Sequence, residues 1–218
     1  MIRAVYDFAS GPMVWLSTAV FLGGLAFRLV RYRLLMSRAR QGLPNDFRTG
    51  WALASILRLL LPLNRTARSS PWSTLAGFGL HVPLLILGFF LSAHVVMLEQ
   101  AFGLSWPSIP DAWADGLTVA ALLSLAFLTG KRLLHPALRG LTEGKDLAVL
   151  GLVALPLATG LAAHLQWGDY RLMLTLHILS AQAVLMAAPF TKLSHMALFF
   201  VSRAATGSDF GKREVGPW

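Results

Sequence analysis

The chain has 218 residues, of which 56% are hydrophobic and 13% charged, with a mean hydropathy of +0.61. A soluble domain carries about 25% charged residues, so this composition excludes an ordinary soluble fold and indicates an all-α integral membrane protein. Cysteine is absent, which excludes disulfides, cysteine-held iron–sulfur clusters and covalent c-type haem.

A hydrocarbon core about 30 Å thick needs roughly 20 apolar residues in a helix. The first such stretch runs from Pro12 to Val30. The residues before it form no basic n-region, and the run is long enough to stay in the bilayer, so no cleavable leader is expected. Next comes Trp51 to Leu63, apolar but short, and carrying Arg58 and Pro62. It reads as an amphipathic helix lying in the interface. Three full spans follow, Leu75 to Leu98, Gly116 to Leu134 and Leu147 to Leu165. A fifth extends from Leu172 to about Val201, interrupted only by Lys192 and His195. The expected fold is a single transmembrane domain over residues 1–218. It has five transmembrane helices, a short interfacial helix between spans one and two, and termini on opposite sides.

Charge placement supplies the orientation. Nine arginines lie between Arg28 and Arg68, four basic residues between Lys131 and Lys145, and four between Lys192 and Arg213. In a five-span topology, 17 of the 19 Lys and Arg then share one side, leaving Arg3 and Arg171 opposite beside Asp7, Glu99, Asp111, Asp115 and Asp169. The positive-inside rule makes the N-terminus periplasmic and the C-terminus cytoplasmic in a bacterial inner membrane. The net charge of +9 is accounted for by this segregation, so nucleic acid is not an expected partner; membrane lipid is.

Ionisable residues inside a membrane are costly and mark function. Four of the six histidines fall within spans two and five: His81, His94, His177 and His195. Opposite span directions sort them by depth into an outer pair, His94 with His177, and an inner pair, His81 with His195. Two facing imidazoles supply both axial ligands of a b-type haem, and burial keeps them neutral. On one continuous helix, His177 and His195 stand five turns apart, about 27 Å, and point the same way. His81 and His94, 13 residues apart, would face differently at a separation of about 20 Å. Tilt, or a bend near Pro83, brings both toward span five, and Pro189 offers similar freedom there. Small residues between the ligands (Gly88, Ser180, Ala181, Ala183, Ala187, Ala188) suit either a flat macrocycle or close helix packing. A zinc site needs three or four ligands at one place, whereas depth divides these into twos. His135 reads as a surface residue in a basic turn, and His164 as an interfacial residue or the edge of a quinone pocket. Arg28, Arg31, Lys131 and Lys192 are candidate partners of inner propionates or plain topology anchors. Glu99, Asp115, Asp169 and Tyr170 are candidate acceptors of quinol protons or solvated loop groups.

The segment from His177 to His195, with Pro189-Phe190-Thr191-Lys192-Leu193 before its second histidine, resembles the last helix of the gamma subunit of respiratory nitrate reductase. The turn from Lys131-Arg132-Leu133-Leu134 through Pro136, Leu138-Arg139 and Thr142-Glu143-Gly144-Lys145-Asp146 is similar to that family's cytoplasmic loop. The likeness covers most of spans two to five. It implies a five-helix cytochrome b holding two haem b groups, with His81, His94, His177 and His195 as axial ligands. The spacing of His81 and His94 and the run Trp51 to Leu63 depart from that family. The family's lysine implicated in quinol handling also has no counterpart around Pro110 to Asp115, and the chain looks closer to the cytochrome b subunits of transmembrane redox complexes of sulfate-reducing bacteria (the Hmc, Tmc and Dsr types). That resemblance implies passage of electrons between a periplasmic multihaem cytochrome c or a quinone pool and a cytoplasmic iron–sulfur subunit related to heterodisulfide reductase, alongside other integral membrane subunits. Menaquinone is a possible second cofactor. The rival readings are a quinol-oxidising anchor of a nitrate-reductase-like enzyme, a proton-coupled transporter and a passive anchor. Transporters tend toward internal repeats and broken helices, which the sequence does not announce.

Overall fold

The computed structural model describes residues 2–39, 46–62 and 65–215; Arg40 of the basic stretch and Leu63, the expected end of the interfacial run, lie outside them. Every regular element among the described residues is helical. In chain order these are α1 (Ile2–Ser10), α2 (Pro12–Ala39), α3 (Thr49–Leu60), α4 (Arg65–Ser69), α5 (Pro71–Phe90), α6 (Ser92–Phe102), α7 (Asp111–Leu134), α8 (Pro136–Arg139), α9 (Gly144–His164), α10 (Tyr170–Ala187) and α11 (His195–Lys212). Two short 3-10 turns, Ala188–Phe190 and Lys192–Ser194, separate the last two helices. Five helices are long and apolar enough to cross a membrane: α2, α5, α7, α9, and α10 continued to Phe190. The protein is therefore an all-α, multi-pass membrane protein, with α3 as the shorter apolar helix between spans one and two.

Two expected spans are broken. Span two does not run from Leu75 to Leu98 as one helix, because α5 stops at Phe90 and Leu91 is extended (φ −68°, ψ 132°). Span five does not run to Val201, because α10 stops at Ala187 and α11 begins at His195. Proline at 189 has no N–H to continue the α ladder. Thr191 is then extended (φ −117°, ψ −174°), and its Oγ1 accepts the Leu193 N–H to start the next turn. The phase arguments that treated His81 with His94, and His177 with His195, as points on one rigid helix therefore do not apply.

The chain gathers into two compact units: residues 1–10 with 70–181, and residues 11–69 with 182–218. In the first, α7 packs along both α5 and α9. Its apolar core joins Leu80 and Leu87 of α5, Ala114, Ala121 and Leu125 of α7, and Leu157 of α9. Gly79 lets α7 approach closely, since a Cβ there would lie 2.5 Å from Ser124 Oγ. At one end Lys131 Nζ of α7 donates to Ser73 Oγ of α5. His135, exposed and extended (φ −83°, ψ 119°), ends α7 as residues before proline do. Helix α9 then starts with a reciprocal cap between Glu143 and Asp146, which satisfies two otherwise unbonded N–H groups.

In the second unit, α2 is 28 residues long, about 42 Å, and carries its arginines in its second half. Gly24 of α2 receives Pro189, whose Cβ stands 2.6 Å from where a Cβ would project. Helix α3 lies on α11: a Cβ on Gly207 would meet Trp51 O at 2.5 Å, and one on Gly211 the Trp51 ring at 2.5 Å. The Arg48 N–H donates to Ser208 Oγ at 3.0 Å. Helix α3 ends where Leu61 turns extended (φ −95°, ψ 141°) ahead of Pro62.

Candidate bis-histidine site

The break at Leu91 prepares the site. An α-helix leaves its last four carbonyls without helical partners, and within a bilayer such groups must be satisfied by protein. Three of those four in α5 are taken. Trp106 Nε1 donates to Phe89 O at 2.7 Å, the Ile109 N–H to Phe90 O at 2.8 Å, and His94 Nδ1 reaches back seven residues to Leu87 O at 2.9 Å. His94, in the first turn of α6, is thus oriented by the broken end of α5.

His177 is held from the other direction. Its Nδ1 donates to Pro156 O of α9 at 2.8 Å, and its ring lies on Gly160, where an added Cβ would fall 2.8 Å from Nδ1. Pro156 and Gly160 sit one turn apart on one face of α9. The pair thus forms a carbonyl and a gap, shaped to the imidazole. The two rings meet within the first unit, with centroids 6.1 Å apart and planes inclined by 13°. The rings are stacked, at a separation within the offset range of about 4.5–7 Å that also leaves room for two metal–imidazole bonds of about 2.0 Å each.

The tautomer follows from the partners. A carbonyl can only accept, so Nδ1 of each ring carries the proton and Nε2 keeps the lone pair. Metal-binding histidines almost always make this kind of second bond, which fixes the ring and raises its basicity. The same arrangement recurs at the other two candidates: His81 Nδ1 donates to Gly77 O at 2.8 Å, and His195 Nδ1 to Lys192 O at 2.8 Å. The structure thus brings His94 and His177 together. His81 belongs to the first unit and His195 to the second, in the first turn of α11. Among the described residues no group of three or more His, Cys, Asp or Glu side chains could hold a metal ion; the candidate site is a pair of imidazoles.

Several residues around the histidines were undecided from sequence. A Cβ on Gly88 would meet nothing within 4 Å, so helix packing does not require that glycine. Arg28 Nη2 donates to Ser194 Oγ, next to His195, at 3.3 Å. Asp169 Oδ1 accepts the Leu172 N–H at 2.7 Å and so caps α10. Glu99 accepts from Ser105 Oγ at 3.2 Å, and Asp115 lies 3.4 Å from His164 Nε2. Sequence reasoning missed Pro156, Gly160 and Trp106. The only signal was the four-residue spacing of Pro156 and Gly160, which many membrane helices share.

No family model matches the chain. A protein of Nitratidesulfovibrio vulgaris (strain Hildenborough) is 37% identical over 219 residues, an alignment covering 97% of this chain and 96% of that protein. With identity of that order along nearly the whole length of both, the chain belongs to the same family as this Nitratidesulfovibrio vulgaris protein.

Proposed function

We propose that the protein is the dihaem cytochrome b subunit of a membrane oxidoreductase complex, carrying electrons across the bilayer. One observation carries the reading: two near-parallel imidazoles with centroids 6.1 Å apart, each with its Nδ1 held by a backbone carbonyl. Bound haem would supply the iron that changes oxidation state. The residues do the rest. His94 and His177 would hold the outer group, their tautomers and orientation set by Leu87 O and Pro156 O. On the resemblance, His81 and His195, each in its own unit, would hold the inner group, with Arg28 bonded to Ser194 next to His195.

The basic segments at residues 28–68, 131–145 and 192–213 favour a periplasmic N-terminus and a cytoplasmic C-terminus. On the resemblance to nitrate reductase gamma subunits and the complexes of sulfate reducers, the outer partner is a multihaem cytochrome c or a menaquinone pool. The inner one is an iron–sulfur subunit related to heterodisulfide reductase.

The test is a reduced-minus-oxidised spectrum of the purified chain with haem content measured. The expected result is two b haems per chain, and His94→Ala and His177→Ala should each lose the same one. A colourless preparation made with haem supplied would reject the reading. One observation favours a second reading, a proton-coupled transporter: both histidine-bearing spans are broken, at Leu91 and between Ala187 and His195, as transporter helices often are. The same spectrum separates the two.

A further inference from the structure

Residues 91–110 join two helices of membrane-spanning length, Pro71–Phe90 and Asp111–Leu134, so they lie at one face of the bilayer. Three bonds pin this connection to the ends of those helices. Trp106 Nε1 donates to Phe89 O, the Ile109 N–H to Phe90 O, and Ser92 Oγ to Asp111 Oδ1 at 3.3 Å. Helix α6 is thus a fixed shelf at that end, and His94 stands in its first turn.

The shelf turns Val95 inward, at 4% exposure, and Val96 and Met97 outward, at 48% and 51%. Phe102 and Leu104, on either side of the left-handed Gly103, are 54% and 58% exposed. A grouped apolar surface of this kind outside the spans marks an interaction site. Met97 follows His94 by three residues, about 4.5 Å along the helix, so the surface begins within one turn of the candidate ligand.

Charge selects what covers it. Helices that lie on lipid are rich in Lys and Arg, yet residues 91–110 contain neither. They carry Glu99 instead, exposed and accepting from Ser105 Oγ at 3.2 Å. At the same end α7 adds Asp111 and Asp115, and the turn into α10 adds Asp169 beside Arg171. An apolar centre with an acidic rim is the complement of a basic protein surface, and it repels anionic headgroups.

Resting on the haem reading above, we infer that α6 and the turn after it dock a soluble protein of basic surface charge, which exchanges single electrons with the His94–His177 centre. Val96, Met97, Phe102 and Leu104 form the contact, with Glu99 at its edge. One partner is oxidised as the other is reduced, and no bond is made or broken. The acidic rim speeds encounter, and the apolar centre holds the complex.

The experiment places the full chain in nanodiscs of phosphatidylcholine, which has no net charge. The probe is a basic monohaem cytochrome c, compared with the same probe after succinylation of its lysines. The basic form should bind, and should be released at about 1 M salt, where the Debye length is about 3 Å; the succinylated form should not bind. Val96→Ser with Met97→Ser should weaken binding about tenfold by removing apolar contact. Glu99→Gln should weaken it about threefold, as one exposed charge does. Leu141→Ser, exposed in the turn at the other end of the same unit, should change nothing. Equal binding of both probe forms, or undiminished binding to the Val96→Ser, Met97→Ser variant, overturns the surface. So does a shift of that variant from dimer to monomer, since a second copy would then be the cover. Quenching of a dye on Met97→Cys by spin-labelled lipid overturns it too, because lipid would then be the cover. A haem-loaded chain that ignores the basic probe rejects the surface alone. A chain without haem that still binds it keeps the surface and rejects the parent reading.

Discussion

A hydrogen bond at one nitrogen of an imidazole decides what the other can do. At His94 and His177 the Nδ1 protons go to Leu87 O and Pro156 O, so Nε2 is left as the basic atom. Gly160 is what allows His177 to lie against α9. Alanine in a helix ordinarily gains roughly 0.5–1 kcal/mol over glycine. At 160, however, the methyl would stand 2.8 Å from Nδ1, and such overpacking costs about 1–3 kcal/mol. The clash outweighs the propensity. Gly160→Ala should therefore lower the melting temperature and, on the proposed dihaem reading, lose one haem of two. Gly151→Ala, on the same helix with nothing within 4 Å of its Cβ, should melt no lower and keep both. Pigment content and thermal unfolding in detergent check this pair. His81 and His177 were legible in the sequence as unusual residues inside spans, whereas His94 and His195, expected there too, lie just past the breaks that end spans two and five. Their supporting glycine was not, because a glycine in a membrane helix has many ordinary reasons to be there.

At the scale of elements, the helix breaks decide where the histidines point. Pro189, Thr191 and Ser194 make the break before His195 readable in retrospect as proline followed by capping residues. The break at Leu91 has no local signal, since neither glycine nor proline stands there. It is held by contacts from the following loop, Trp106 Nε1 to Phe89 O and Ile109 N to Phe90 O. Trp106→Phe keeps the ring and removes the donor, at a cost of about 1 kcal/mol for a partly exposed bond. The expected result is a melting point lowered by a few degrees and, on the proposed dihaem reading, a shifted absorption band of the outer haem with the inner band unmoved. On the second unit, Gly207→Leu would drive a side chain into Trp51 O and lift α3 from α11. Trypsin should then cut faster after Arg58. Unaltered digestion would show that α3 is held by something other than this packing.

For the molecule as a whole, topology follows from charge. The chain has no cysteine, so single thiols report sides cleanly. In intact cells, an impermeant maleimide should label Asp7→Cys and reach Glu214→Cys only after the membrane is opened; both positions are exposed. The reverse pattern would invert the proposed direction of the subunit.

By itself the sequence determined the class, the five spans, the short helix between the first two, and the two histidines inside spans, His81 and His177, with His94 and His195 just beyond the helix breaks. These follow from hydropathy and from the cost of burying polar groups, which act on each segment separately. Only the tertiary structure decided that the second and fifth spans break, that His94 and His177 stand 6.1 Å apart, and that Leu87 and Pro156 fix their tautomers. Those outcomes depend on carbonyls released at a helix end, and on groups distant in the chain that arrive to satisfy them. No local pattern encodes that meeting.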